Sequence, residues 1–372
     1  MKVMTRSQLL GNVRRAVVKI GTSVLVEQPV ARIRALAADI GLLRQGGLEV
    51  LVVTSGSIAL GMARLDLKRR PRQMPLLQAA SGVGQVVLMQ TYQDALSAHG
   101  IETAQVLLSH HDLTDRARFL RARHTLMALL DYGVVPVINE NDSVAVREIM
   151  ESDNDMLAAR VPHLVEADVM VMLTTAEGIY ATSPQRGGEV IPVVEDIDAL
   201  VKRVQKGTTG PRQRTQRSLA SKARAAQFAA GYGVPTVVAS GVRPGVLANI
   251  LDDETIGTLL LPPTVRRSRK KWIAEVLEPM GTLVVSKEAR HLLLQGNHSL
   301  LPSGVQRSEG EFLQGDAVRV RDAAGEEFAR GLVGYGVTEL AHIQGRDPED
   351  IERLLGYRHY EEVIRRDDLV IL

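Results

Sequence analysis

The sequence predicts an α/β protein: a parallel-rich sheet sandwiched by helices, followed by a small β-rich C-terminal domain. Three observations carry this. Apolar runs of strand length, rich in Val and Ile, recur at residues 16–20, 50–53, 134–138, 169–173, 234–239 and 258–261. Their apolar character is continuous rather than alternating, which marks strands buried on both faces. Intervening segments such as 32–45 and 116–130 carry apolar residues at helical spacing, and β and α units in alternation build a parallel sheet covered by helices. The pattern stops near residue 262. Pro262-Pro263 is followed by the basic residues Arg266, Arg267, Arg269, Lys270 and Lys271, then by shorter, turn-punctuated strands at 282–285, 317–320 and 328–333. A larger domain over residues 1–262, a basic linker over 263–275 and a small domain over 276–372 are therefore expected, in keeping with 372 residues being too many for one ordinary core.

Composition narrows the function classes. Hydrophobic residues at 45% and charged residues at 24% are globular averages and exclude a disordered chain. With no cysteine, disulfides, thiolate metal sites and cysteine nucleophiles are excluded. The start lacks the apolar core of a signal peptide, and no 18-residue uncharged apolar run occurs, so a soluble cytoplasmic protein is expected. The formal net charge of +2 hides an asymmetry. Thirteen of the 45 basic residues sit in 202–224 and 266–271, which contain no acid, leaving 32 against 43 acidic residues elsewhere. Positive charge is thus concentrated in an otherwise acidic protein.

Polar residues gather where strands end. The first strand runs out through Lys19 and Ile20 into Gly21-Thr22-Ser23, and the second through Val53-Thr54 into Ser55-Gly56-Ser57. Backbone N–H groups in such turns bind anions, and a lysine at the strand end adds a point charge able to reach phosphate. A solvated lysine beside a tight turn presents the same pattern. No GxxxxGK[ST] occurs and no strand is followed by GxGxxG, which disfavours P-loop and Rossmann sites. After the strand at 134–138 come Asn139, Glu140, Asn141 and Asp142, then Glu148, Glu151, Asp153, Asn154 and Asp155. Amides and carboxylates at a strand's carboxyl end can grip an ammonium group, orient hydroxyls or hold Mg²⁺; such residues also cap helices, and Asp153 stands where a cap belongs. Eight basic residues, Lys202, Arg203, Lys206, Arg212, Arg214, Arg217, Lys222 and Arg224, suggest a phosphate-facing loop entering a helix near Ser218, with Lys222 about one turn in; a solvated loop is the rival reading.

These residues resemble the glutamate 5-kinase family of the amino acid kinase superfamily, in the form with a C-terminal PUA domain. The resemblance rests on VVKIGTSVL (17–25), VVTSGSIALG (52–61), RARFLRARHTLMALL (116–130), VPVINENDSVA (135–145) and SDND (152–155). In the tail, SLLPSGV (299–305), EGEFLQGDAV (309–318) and ARGLVGY (329–335) resemble the PUA domain. It implies an amino acid kinase-like fold with a PUA-like tail, and transfer of the γ-phosphoryl group of ATP to the side-chain carboxylate of L-glutamate, with Mg²⁺ riding on the ATP phosphates. It further implies that Ser55, Gly56, Asp142, Asp153 and Asn154 bind glutamate. Lys19 and Lys222 would flank the phosphates, with Asp155 organising them as the third catalytic residue. Gly21, Thr22, Ser23, Thr174 and Thr175 would line ATP together with both lysines. Proline as feedback inhibitor and a homodimer or homotetramer are also implied. RNA binding by the tail is not expected, since it has few aromatics for base stacking and mixes acids with bases.

Departures fall on the nucleotide side. Leu173-Thr174-Thr175 stands where the family reads Leu-Thr-Asp, and Tyr180-Ala181-Thr182-Ser183-Pro184 where it reads Tyr-Thr-x-Asp-Pro. The family's glycine-rich loop is replaced by Arg214-Thr215-Gln216-Arg217-Ser218, with Gly207-Thr208-Thr209-Gly210 as a displaced remnant, and Met156 replaces an asparagine. Phosphate approaches glycine amides most closely because no Cβ obstructs it. Three readings follow: a working kinase whose arginines supply what glycine amides do elsewhere; a kinase with altered acceptor or nucleotide; or a non-catalytic amino-acid sensor acting through partners or RNA.

Overall fold

The computed structural model describes all residues except 1–5, 12, 110, 114, 145–153, 182–187, 207–212, 252–254, 263–278, 297 and 359. The chain divides into two compact units, residues 1–263 and 264–372. The proposed linker at 263–275 lies outside the described residues.

In the first unit the order is α1 (Arg6–Leu10), β1 (Arg15–Ile20), α2 (Thr22–Leu25), α3 (Pro29–Gln45), β2 (Glu49–Val53), α4 (Ser57–Arg64) and α5 (Met74–Ser97). Then come β3 (Thr103–Leu108), α6 (Arg116–Asp131), β4 (Val135–Glu140), α7 (Asn154–Val165), β5 (Val169–Thr174) and β6 (Val193–Val194). Last are α8 (Ile197–Lys206), α9 (Gln213–Gly231), β7 (Thr236–Ser240), α10 (Val246–Leu251) and β8 (Thr258–Leu260). Among the described residues the strands form one eight-stranded sheet, β3-β4-β2-β1-β5-β7-β8-β6. Every pairing is parallel except β7 with β8.

The continuous apolar runs have the expected cause. Along β1 and β2, Val17, Leu51 and Val53 enter one core with α6, α7, α8 and α9, while Ala16, Val18, Val50 and Val52 enter a second with α3, α5 and α10. Each fully buried Val or Leu contributes roughly 1.5–3 kcal/mol. Because β1, β2, β4, β5 and β7 are mutually parallel, their carboxyl ends share one edge: Lys19 pairs with Val53 and Met172, and Val53 with Ile138. The polar turns read in the sequence therefore converge there.

Two expectations need correction. The strand expected at 134–138 extends through Glu140, whose register partner is Leu108 of β3, so Asn139 and Glu140 belong to the strand end and not to the loop. The helix expected near Ser218 begins at Gln213, since polar residues propagate a helix as well as they form a loop. Lys222 consequently lies well inside α9. The eight basic residues do not make one loop: Lys202, Arg203 and Lys206 are on α8, and Arg214, Arg217, Lys222 and Arg224 on α9.

One contact in this unit is made by backbones. A Cβ on Gly61 of α4 would stand 1.7 Å from the Ala80 carbonyl oxygen, and one on Gly84 of α5 1.7 Å from that of Ser57. Only hydrogen fits at either position, and α4 and α5 touch main chain to main chain.

The second unit holds β9 (Gly281–Val285), α11 (Lys287–Leu294), β10 (Val305–Gly310), β11 (Ala317–Arg321), β12 (Glu327–Leu332), α12 (Val337–Ile343), α13 (Ile351–Leu355) and β13 (Leu369–Ile371). Its described strands form a separate sheet, β10-β9-β11-β12-β13, around Leu283, Phe312, Val318, Val320 and Tyr335. Ser286 caps α11 by accepting the Ala289 N–H at 3.1 Å. Among the described residues no helix is long and apolar enough to cross a membrane.

Candidate active site

Lys19 points from the end of β1 toward the first turn of α7, where its Nζ donates to Asp155 Oδ1. From α9, Lys222 Nζ reaches Asp155 Oδ2 at 3.1 Å, and the Ser221 hydroxyl donates to the same oxygen at 2.9 Å. Lys222 also donates to Ser218 Oγ at 3.2 Å, one turn back on its own helix. All three charged groups are buried, with Lys19 6%, Asp155 3% and Lys222 9% exposed. Burial by itself pushes the Asp155 carboxyl up. The two ammonium groups and the hydrogen bonds from Lys19 and Ser221 outweigh that and hold it at about 2. The cluster is one carboxylate between two cations, with a net positive charge facing the strand-end edge.

Beside it the polar residues interlock. Ser55 Oγ donates to the Ile20 carbonyl at 2.8 Å, tying the end of β2 to the end of β1. Gly56 follows with φ of 100°, a left-handed conformation that glycine adopts without steric cost, and so turns the chain into α4. Asn154, at the start of α7, donates through Nδ2 to the Thr54 carbonyl at 2.6 Å and to Asn139 Oδ1 at 2.7 Å. The Thr54 hydroxyl lies 2.9 Å from the buried Tyr92 hydroxyl. Asp142, just past β4, accepts from Ser57 Oγ at 3.2 Å and from Ser81 Oγ through the same oxygen, Oδ2. Among the described residues Asn139 Nδ2 is buried without a hydrogen-bond partner.

The structure thus brings together Lys19, Lys222 and Asp155, and sets Ser55, Gly56, Asp142 and Asn154 on the same edge. Thr174 is buried at the end of β5, where its carbonyl accepts the Gly241 N–H at 2.8 Å, and Thr175 is exposed beyond it. Gly21 donates its N–H to the Leu173 carbonyl at 3.0 Å, and a Cβ there would stand 3.9 Å from Lys19 Nζ, an ordinary contact. Thr22 and Ser23 are exposed in α2. Asp153, Glu148, Glu151, Arg212, Thr182, Ser183, Pro184 and the glycine remnant at 207–210 lie outside the described residues. Sequence reasoning missed Asn139 as a strand residue, Ser218 and Ser221 beside Lys222, and Ser57 and Ser81 beside Asp142. For the last pair the signal was there in Gly61 and Gly84, two glycines in helical segments that mark a close crossing.

The amino acid kinase family model matches residues 14–240, and the PUA domain model residues 281–355. The chain is 42% identical over 374 residues to a glutamate 5-kinase of Pelobacter propionicus, covering 99% of this chain and 100% of that protein. It is 44% identical over 382 residues to that of Myxococcus xanthus, covering 100% and 99%. With that of Thermus thermophilus the identity is 41% over 363 residues, covering 96% and 97%. With relatives of this similarity along its whole length, the chain belongs to the amino acid kinase family and, within it, to the glutamate 5-kinases.

Proposed function

We propose that this protein transfers the γ-phosphoryl group of ATP to the side-chain carboxylate of L-glutamate, giving L-glutamyl 5-phosphate, the first step of proline biosynthesis. The observation that carries the reading is the buried Lys19–Asp155–Lys222 cluster at the strand-end edge beside Ser55, Asp142 and Asn154. Phosphoryl transfer needs in-line positioning and positive charge around the moving group more than covalent catalysis. Lys19 and Lys222 supply that charge from opposite sides, and Asp155 holds both ammonium groups in place. No general base is required, because a glutamate carboxylate is already ionised near neutral pH. Ser55, Gly56, Asp142, Asp153 and Asn154 hold the amino acid. Gly21, Thr22, Ser23, Thr174 and Thr175 line the nucleotide with the two lysines.

The Asp155 carboxylate is already taken up by two ammonium groups and a hydroxyl, which suits a Mg²⁺ carried on the ATP phosphates better than one ligated at this carboxylate. That ion, when bound, neutralises charge on the phosphates. The same reading makes the protein cytoplasmic, a homodimer or homotetramer, and open to inhibition by proline at the amino-acid site.

Purified protein with ATP, Mg²⁺ and L-glutamate should release ADP and, with hydroxylamine, form the γ-hydroxamate. Absence of turnover together with absence of ATP binding by calorimetry would overturn the proposal. Light scattering with and without proline, alongside proline titration of the rate, checks assembly and inhibition.

A further inference from the structure

We infer that Ser57 and Ser81 are positioning residues for the amino-acid substrate, acting through Asp142 to set how tightly the site takes an α-ammonium group. This rests on the reading that Asp142 faces the substrate.

The argument begins from donor and acceptor chemistry. Glutamate carries two carboxylates and one ammonium group. An ionised Asp142 only accepts hydrogen bonds, so the ammonium group is the part of glutamate it can serve. The value of that pairing depends on the carboxylate being held, because a loop aspartate free to rotate must be ordered each time substrate binds. Here Ser57 and Ser81 both donate to Oδ2, and the two hydroxyls lie 2.9 Å apart. They are 3% and 1% exposed. Serine inside a helix ordinarily turns its hydroxyl back onto its own helix or out to water. These two, on different helices, instead meet on a side chain 85 and 61 residues away in sequence.

The scaffold that brings them there is the glycine crossing. Gly84 lies against the carbonyl of Ser57 itself, and Gly61 against that of Ala80, the neighbour of Ser81. The closest approach of α4 and α5 is therefore directly at the serine pair. Packing alone would be met by alanine at both positions; the hydroxyls add two hydrogen bonds to a charged acceptor, the stronger kind.

The test is kinetic. In Ser57→Ala, Ser81→Ala and the double variant, the KM for L-glutamate should rise, by about 10- to 100-fold in the double variant, the size expected for hydrogen bonds to a charged group. The KM for ATP and the kcat at saturating glutamate should stay within about twofold, since neither reports on an ammonium contact. Calorimetric binding of glutarate, which lacks the ammonium group, should change little. In an Asp142→Asn background the serine changes should add nothing further. If Asp142→Asn raises the glutamate KM and the serine variants do not, this inference fails while the proposed site stands. If Asp142→Asn leaves glutamate binding unchanged, the reading of Asp142 fails and the inference with it. A parallel rise in the KM for ATP, or equal weakening of glutarate and glutamate, would show a merely structural role and overturn it.

Discussion

The amino-acid side and the nucleotide side of this edge are held by different means. On the amino-acid side, Ser55 is pinned to the Ile20 carbonyl and Asn154 to the Thr54 carbonyl, and Asp142 is held by the hydroxyls of two serines whose helices touch backbone to backbone. On the nucleotide side the described anchor is electrostatic, with Lys222 held from α9 by Asp155 and Ser218. Positions fixed by backbone geometry tolerate few residue types. A position held by charge needs only that a cation arrive, and the chain leading to it is freer to vary. That difference matches where the sequence keeps the family pattern and where it departs from it.

The largest effect should come from removing the group both sides share. Asp155→Ala leaves two buried ammonium groups without a counterion, and should cost about 3–5 kcal/mol in denaturant unfolding together with nearly all activity. Full stability in that variant would break the claim that charge organises this side. Lys222→Ala should lower kcat by about 10²- to 10³-fold with glutamate binding retained; unchanged turnover would remove Lys222 from the phosphate site. Gly84→Ala tests the other side. Despite the better helix propensity of alanine, it should destabilise by about 1–3 kcal/mol because the helices must part, and it should raise the KM for glutamate while sparing that for ATP.

Acid should act on the charge-held side. Asp155 sits at about 2 when folded, below the ordinary value of 3.8. Its contribution is therefore complete above the unfolded value and is lost as pH falls from about 4 toward 2. About 2 kcal/mol is involved, visible as a slope in urea unfolding over that interval and absent in Asp155→Asn. The smallest effect is expected from Arg217→Ala. Arg217 is exposed on α9, and its loss should raise the KM for ATP about threefold or less, in a salt-dependent way. A much larger effect would show that arginine side chains do serve as phosphate donors.

What the sequence disclosed follows the same division. The Val- and Ile-rich strands were legible because both faces of the sheet are buried, so their character is continuous. Strand β3 was not, because at the sheet edge its residues are mostly half-buried and Gln105 interrupts the run. Helix α5 carries Gly82, Gly84 and several polar residues and lacks a clear apolar stripe. In the site, Lys19 was legible as a polar residue at a strand end, and Asp142, Asn154 and Asp155 as members of the polar stretch that follows β4 and opens α7. Ser57 and Ser81 were not, because Gly61 and Gly84 mark a close helix crossing without saying which side chains it brings together. The start of α9 was obscured because its first residues, Gln213 to Arg217, include no apolar residue that would mark a buried face.

Asp155 also gives the centre a built-in counterion. Two buried ammonium groups with nothing between them would attract any small anion from solution. With the carboxylate already shared by both, a chloride or bicarbonate finds most of that attraction used. A polyphosphate, with several charges distributed over a chain, can still compete for the ammonium protons. The contact that secures the fold at rest thus sets a threshold for entry: the idle centre is partly self-neutral, and a multivalent guest has the charge to displace that balance.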